Sequence, residues 1–571
     1  RREIMKTVDR HLLQRFWHLA TPYWRGEERL KAWGLLVLLV VLLLGLTRFA
    51  VLFNAQTGEF TSALAARDEP RFWEAIEVCL GLVVVAVPMY ALYYYVRDTL
   101  GLHWRRWLTN RFLASYFSDR NFYELNALAA IDNPDQRIAE DINTFTQRSL
   151  FFLLIFIGSI LQLVAFSTVL WSISRVLVYF LVVYTVAGTL ITVLVFGRVM
   201  IRINFQQLRR EADFRFGLVR VRENAESIAF YRGEAQELVQ VKRRFTGAFD
   251  NFKLLITRQL FLNLFQYGYA MLTIVLPSAI MASQVLSGEV EVGAAVQAAG
   301  AFAAVLTAMS MIVDNFESLS RFAAGVDRLN AFLKVLADRP MGHASTGGVI
   351  ESIEDSRLAL EDVTLLTPNR ERILVQKLSI EILPGESLMI VGESGCGKSS
   401  LLRAIAGLWY AGGGRIIRPG RDEILFLPQK PYMLLGSLRS QLLYPKKDAS
   451  IPDAELLGLL VKVNLPDLAE RFGGLDVDVD WEKVLSIGEQ QRLAFARVLL
   501  TQPRYVILDE ATSALDNANE EALYAQLVAS GTTRVSVAHR ATVLKFHQQV
   551  LALSGDGGWR VCPAEDYRFN G

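Results

Sequence analysis

The residues most suited to chemistry are Gly392-Glu-Ser394-Gly395-Cys396-Gly397-Lys398-Ser399, which fit the pattern GxxxxGK[ST]. They fall between an apolar run, Leu388–Val391, and a stretch expected to open a helix near Ser400. That context suits a polyphosphate. The glycines let successive backbone N–H groups curl around phosphate oxygens, and the helix N-terminus adds partial positive charge. Lys398 is long enough to reach the β and γ phosphates, and the Ser399 hydroxyl can ligate Mg²⁺. Gly392, Ser394, Gly395, Cys396, Gly397, Lys398, Ser399 and Ser400 are therefore the candidate nucleotide contacts; Cys396 is a tolerated loop residue with no redox role expected. A second run, Tyr505-Val-Ile-Leu-Asp509-Glu510, reads as an apolar strand ending in two carboxylates. Asp509 is placed to hold Mg²⁺ and Glu510 to polarise a water that attacks the γ phosphate, so the pair points to hydrolysis. The first motif alone would fit a GTPase, a kinase or a helicase equally well.

What separates these classes lies between the two runs. Leu485-Ser486-Ile487-Gly488-Glu-Gln490-Gln-Arg492 resembles the LSGGQ signature of ATP-binding cassettes, with Ile487 at the first glycine position. A Ser hydroxyl and a glycine backbone at a helix start suit a phosphate contact. The resemblance implies that Ser486, Gly488 and Gln490 close over ATP held by another subunit, so that the working unit is a dimer. It also assigns roles to three residues that would be ordinary surface groups alone. Gln429, after the run Ile424–Leu427, is implied to sense Mg²⁺ and the attacking water; Asp516, ending Ser513-Ala-Leu-Asp516, belongs to a dimer-facing loop; His539, after the run ending at Val537, contacts the γ phosphate. Catalysis is thus expected from Glu510, His539 and Gln429, with Ser399, Gln429 and Asp509 at the metal and ATP and Mg²⁺ as cofactors. The chain departs from the cassette pattern at Val363-Thr-Leu-Leu-Thr367-Pro368, which has no aromatic residue to stack on adenine, so aliphatic side chains are expected there.

These motifs need a scaffold, and the surrounding sequence suggests one. From Leu358 onward short β-rich runs (Ser387–Val391, Tyr505–Leu508, Arg534–Val537) alternate with helical ones, the pattern of an α/β domain with a largely parallel sheet. Before residue 320 the texture is different. Hydrophobic residues make up 52% of the chain and are concentrated in this first part. A bilayer core needs roughly 20 apolar helical residues, and six stretches supply them: Trp33–Phe53, Ala75–Val96, Leu150–Trp171, Val176–Phe196, Leu260–Ala282 and Ala294–Val313. Ser172–Arg175 allows only a tight hairpin between the third and fourth. The expected fold is a six-span α-helical membrane domain of exporter type over residues 1–336, a linker over 337–357, and an α/β P-loop nucleotide-binding domain over 358–571.

Basic residues cluster before the first span and in segments 97–148 and 201–253, whereas Asn54–Arg71 and Leu286–Val292 carry few. By the positive-inside bias both termini and the cassette are expected in the cytoplasm. The two basic segments read as helices that continue out of the membrane; Phe216, Val219 and Glu223 show the helical spacing. The stretch Arg1–Lys31 lacks the short apolar run and small-residue cleavage site of a secretory signal. A net charge of +2 gives no electrostatic reason to expect nucleic acid as a partner. Three scattered cysteines, Cys79, Cys396 and Cys562, argue against both a disulfide framework and a zinc site.

Asp132-Asn-Pro-Asp-Gln-Arg-Ile-Ala-Glu-Asp141, Glu211-Ala-Asp-Phe-Arg215 and Asn224-Ala-Glu-Ser-Ile-Ala-Phe-Tyr-Arg-Gly-Glu234 resemble segments shared by the SbmA/BacA-like bacterial transporters and the peroxisomal ABC transporters of fatty acyl-CoA. The resemblance runs through both domains. It implies a homodimer in a lipid bilayer, expected to be a bacterial inner membrane, that moves a solute by alternating access. Bacterial members with a fused cassette import hydrophilic solutes such as cobalamin and antimicrobial peptides, whereas the peroxisomal branch moves fatty acyl-CoA out of the cytosol. Gln259, Asn263 and Gln266 recur on one helical face of the fifth span, with Gln162 and Gln297 in others. Such a stripe suits a hydrophilic cargo, although hydrogen bonding between helices explains it as well. Arg258 and Asp314 stand at span ends and read as interfacial. Import of a hydrophilic solute is the expectation, with acyl-CoA or lipid transport as one alternative and a membrane-anchored ATPase regulator that moves no solute as another.

Overall fold

The computed structural model describes residues 10–128, 134–337, 348–446 and 450–569. Asp132 and Asn133, residues 338–347 of the expected linker and the first nine residues lie outside that range. The chain divides into two compact units, Arg1–Arg339 and Pro340–Gly571.

The first unit is helical: α1 (Arg10–Arg25), α2 (Arg29–Ala66), α3 (Glu69–Phe117), α4 (Ile142–Ile173), α5 (Arg175–Ile191), α6 (Arg198–Glu223), α7 (Ala225–Tyr231), α8 (Glu234–Leu286), α9 (Val292–Asp314) and α10 (Phe316–Ala337), with shorter turns between. Five helices among the described residues are long and apolar enough to cross a membrane. The fourth expected span is α5, a 17-residue helix that runs through a π-helical segment, Thr192–Gly197, into α6. The interruption shortens the regular helix without breaking the path. Leu80, Val84 and Val87 on α3 are exposed, as lipid-facing side chains must be. The turn from α2 to α3 is built by Arg67 in the left-handed region (φ 58°) and by Asp68, whose carboxylate accepts the Arg71 N–H at 3.2 Å as an N-cap. Close helix contact follows from small residues: a Cβ built on Gly293 of α9 would overlap the Gly58 carbonyl oxygen of α2. Arg71 clamps that end by pairing with Glu59 at 2.6 Å and Glu291 at 3.0 Å. The expected long basic helices are present, α3 and α8 extending well past their apolar parts and α6 leading through α7 and the turn at Arg232, another left-handed residue, into α8.

The second unit holds two main sheets. β1 (Glu351–Glu354), β5 (Gly412–Arg418), β2 (Leu358–Leu366) and β3 (Ile373–Ile382) lie in the order β1-β5-β2-β3. Glu351–Glu354 was expected in the linker; it is a strand because it pairs in parallel with β5, a partner distant in sequence. The catalytic sheet has the order β12-β11-β4-β10-β9-β6 and comprises β4 (Ser387–Gly392), β6 (Ile424–Leu427), β9 (Tyr505–Asp509), β10 (Thr533–Val537), β11 (Gln549–Leu553) and β12 (Trp559–Pro563). All its pairings are parallel except β11 with β12. A parallel sheet is covered on both faces, which is why Leu388–Val391 and Tyr505–Leu508 are unbroken buried apolar runs. β7 (Leu435–Ser437) and β8 (Asp478–Asp480), distant in sequence, pair as a small two-stranded antiparallel sheet. The helices that matter for the site are α11 (Lys398–Ile405), α12 (Ile487–Thr501) and α13 (Asn517–Ala529).

Candidate functional site

The parallel strands β4, β10 and β9 deliver their C-terminal ends side by side, where ligands bind in open α/β sheets. β4 runs into the phosphate loop and then α11. Gly392 (φ 150°), Gly395 (φ 82°) and Gly397 (φ 107°) take backbone angles that side-chain-bearing residues rarely adopt. At Gly392 space is also limiting, since a Cβ there would meet the Leu553 carbonyl oxygen at 2.5 Å. The loop curls back so far that Lys398 Nζ donates to the carbonyls of Gly392 (2.8 Å) and Glu393 (2.9 Å). Ser394 and Gly395 are exposed on the loop, Ser400 is half-buried, and Cys396 is buried within the core under it, so Cys396 has only its backbone to offer a ligand.

Across the sheet, Ser399 Oγ donates to Asp509 Oδ1 at 3.2 Å. Burial pushes the Asp509 carboxyl above the usual carboxylate range; the Ser399 hydrogen bond opposes this and the adjacent Glu510 charge adds to it. Glu510 sits in the left-handed region (φ 49°), a strained setting for a side-chain-bearing residue that turns its carboxylate out of the strand direction. That carboxylate is held at both oxygens: Gln429 Nε2 donates to Oε2 at 2.8 Å, and His539 Nε2 lies 3.0 Å from Oε1. Three residues far apart in sequence, each just past the end of β6, β9 or β10, thus meet at one carboxylate.

Ser486 caps α12. Its hydroxyl accepts the Glu489 N–H at 3.2 Å while Glu489 Oε2 accepts the Ser486 N–H at 2.8 Å, a reciprocal capping box. Arg471 Nη1 donates to the other Glu489 oxygen at 2.7 Å. Burial raises the Glu489 carboxyl, but the Arg471 and Ser486 hydrogen bonds outweigh it and hold the group below its ordinary range. Gln490, expected at the nucleotide, is buried in this chain, and its Nε2 donates to the carbonyls of Glu482 (3.1 Å) and Leu485 (3.0 Å). The exposed side chain beside Ser486 is Ile487. Asp516 caps α13 by accepting the Asn519 N–H at 2.7 Å, which with the Asn519 side chain lowers its pKa. Ser486 and Gly488 share no hydrogen bond with the phosphate loop of their own chain among the described residues.

Sequence reasoning passed over two residues. Glu489 was legible as the fourth residue of an S-x-x-E box. Gln491, fully buried, was not. It hydrogen-bonds the loops of Gln429 and Ser513, a placement no local pattern announces.

Long apolar helices in one unit and this carboxylate-bearing phosphate site in the other define an ATP-binding-cassette half-transporter. Residues 21–286 match the family described as ABC transporter transmembrane region 2, and residues 375–513 the family described as ABC transporter. An uncharacterized ABC transporter ATP-binding protein of Synechocystis sp. is 47% identical over 546 residues, covering 94% of this chain and 82% of that one. ABC transporter D family member 2, chloroplastic, of Arabidopsis thaliana is 38% identical over 622 residues (96% and 88%). Lysosomal cobalamin transporter ABCD4 of Mus musculus is 31% identical over 599 residues (97% and 96%). In fold, the chain is similar to a bacterial Atm1-family ABC exporter with ATP bound, with a TM-score of 0.73 at 19% identity over 95% of this chain and 97% of that one. The chain belongs to the ABCD family of ABC transporters: an integral multi-pass membrane protein whose ATP-binding domain is an ATPase coupled to transport.

Proposed function

We propose that two copies of this chain form a homodimer that imports a hydrophilic solute, cobalamin or a peptide, by alternating access, with the cassettes and both termini in the cytoplasm of a bacterial cell. The observation that carries the hydrolytic part is the Glu510 carboxylate fixed between Gln429 and His539. Held this way, the carboxylate can take a proton from a water in line with the γ phosphate while Gln429 and His539 keep it aimed. Lys398 trades its two loop carbonyls for phosphate oxygens. Ser399 and Asp509 are the residues that would hold Mg²⁺, which would supply positive charge on the β and γ oxygens. A hydroxyl and a carboxylate fit that hard cation, which binds through few protein oxygens plus phosphate and water. Ser486 and Gly488, which share no hydrogen bond with their own phosphate loop among the described residues, serve the partner's ATP.

For cargo, support comes from the apolar part of α8, along which Gln259 is exposed and Asn263 and Gln266 are half-buried. The likeness to a protein named a lysosomal cobalamin transporter and the resemblance to SbmA/BacA-like transporters favour the same class. The test is ATPase activity of the purified protein in lipid with cobalamin, a cationic peptide or a long-chain acyl-CoA, followed by vesicle transport of whichever stimulates. Accumulation of a hydrophilic compound on the cassette side is the expected result. Stimulation by acyl-CoA with movement away from the cassettes overturns the cargo and the direction.

A further inference from the structure

Gln491 lies on α12, five positions after the Ser486 cap, and is 0% exposed. Its amide is fully engaged. Nε2 donates to the main-chain carbonyl of Gln429 at 2.9 Å and to the Ser513 hydroxyl at 3.3 Å, and Oε1 accepts the Ala514 N–H at 3.1 Å. The elements it joins have different tasks. Gln429 aims Glu510, residues 513–516 form the loop that ends in the α13 cap, and the start of α12 carries the signature. That start also packs directly on the loop, since a Cβ on Gly488 would lie 3.1 Å from the Ala514 carbonyl oxygen. The same loop is gripped from the other side by Arg540, the neighbour of His539, which donates to the carbonyls of Leu515 (2.7 Å) and Ser513 (3.0 Å). A buried amide satisfied at both ends accepts few arrangements, because any shift that leaves one end unpaired costs the desolvation of that group. A helix moves as a rigid body, so displacement of its first turn is delivered to the Gln429 carbonyl and the loop together.

We propose that Gln491 is a positioning residue that links the signature end of α12 to Gln429, so that closure of Ser486 on the partner's ATP is transmitted to this chain's own Glu510. The inference rests on the reading that two copies share their ATP sites. It gives each site knowledge of the other through hydrogen bonds inside one cassette. Gln491→Leu fills the volume and removes all three bonds. Gln491→Glu keeps an acceptor for the Ala514 N–H but sets an oxygen against the Gln429 carbonyl, and it carries the test should the Leu variant not be recovered in lipid.

The experiment is the ATP dependence of steady-state ATPase rate for the full chain in lipid. In both variants kcat is expected to fall about tenfold, the scale of one lost positioning hydrogen bond, with KM for ATP little changed and the Hill coefficient reduced from the wild-type value toward one. Loss of folded protein alone would lower kcat and leave the Hill coefficient where it was. A wild-type coefficient above one that persists in both variants overturns the inference and leaves the shared-site reading standing. A wild-type coefficient of one overturns the shared-site reading and this inference with it.

Discussion

Glu510 concentrates the chemistry in one side chain whose backbone is strained and whose two oxygens are both spoken for. Glu510→Gln keeps the shape and removes the base. ATP binding, which rests on the phosphate loop, is expected to stay within a few-fold of wild type, while steady-state hydrolysis falls by about two orders of magnitude or more; filter binding beside phosphate release measures both, and an unchanged turnover rate removes Glu510 from its role. Its neighbour makes a different prediction. Burial holds the Asp509 carboxyl above its ordinary range, so the folded chain binds that proton more tightly than the unfolded chain does. The group therefore costs the fold stability above its folded pKa, and the cost is relieved as pH falls through that value. Asp509→Asn should melt higher than wild type at neutral pH without nucleotide, the gap should close as the pH is lowered, and Mg²⁺-dependent ATP hydrolysis should be lost. A melting point below wild type at neutral pH contradicts the argument. This is the familiar exchange of stability for a functional charge.

At the scale of elements, α12 begins on a capping box whose acid, Glu489, is held below its ordinary range by Arg471 and Ser486 against the effect of burial. The sign is opposite to that of Asp509. Stability from Glu489 is present above the unfolded carboxylate value near ~4.3 and is lost as pH falls through the lower folded value. Glu489→Gln should therefore loosen the first turn at neutral pH by about 1 kcal/mol, or roughly fivefold in amide exchange over residues 487–492, and the difference from wild type should vanish in acid. In the membrane unit, Gly293→Ala places a methyl against the Gly58 carbonyl. Overpacking of this kind costs about 1–3 kcal/mol, and a lower melting temperature in lipid checks it. The capping box and the phosphate loop were readable because their partners lie within a few residues. The apolar strands were readable because burial on both faces leaves an unbroken run, and the spans because side chains that face lipid must be as apolar as those that face the bundle. β1 was hidden because its partner, Gly412–Arg418, is remote and its four exposed residues show no alternation. α5 ends early for a reason that composition cannot register, a π-helical turn inside an apolar segment. Gln490 and Gln491 are adjacent glutamines on a charged helix start, and only the packing of α12 shows that both are buried and that each clasps different carbonyls.

For the whole molecule the question is whether two chains act as one. Within a cassette, the signature cap and the phosphate loop stand on different elements, α12 and the β4–α11 turn, and they share no hydrogen bond among the described residues. A lone chain would therefore hold ATP on one side and leave Ser486 and Gly488 without a task. Pairing two chains head to tail gives each nucleotide a phosphate loop from one copy and a signature from the other, and a C2 arrangement closes with no surplus. That arrangement can be tested without knowing the cargo. If wild type and Glu510→Gln are co-expressed with different tags and the mixed dimer is purified in lipid, independent sites would leave it with about half the wild-type ATPase, since one intact Glu510 remains. Shared sites behave otherwise. The copy lacking its base holds uncleaved ATP, keeps the interface closed on that side, and delays reopening of the intact site, so coupling of about 1–3 kcal/mol between sites brings the rate to less than roughly a fifth of wild type. A mixed dimer that runs at half speed would show that the two cassettes work alone, and the placement of Ser486 opposite the partner's ATP would have to be given up.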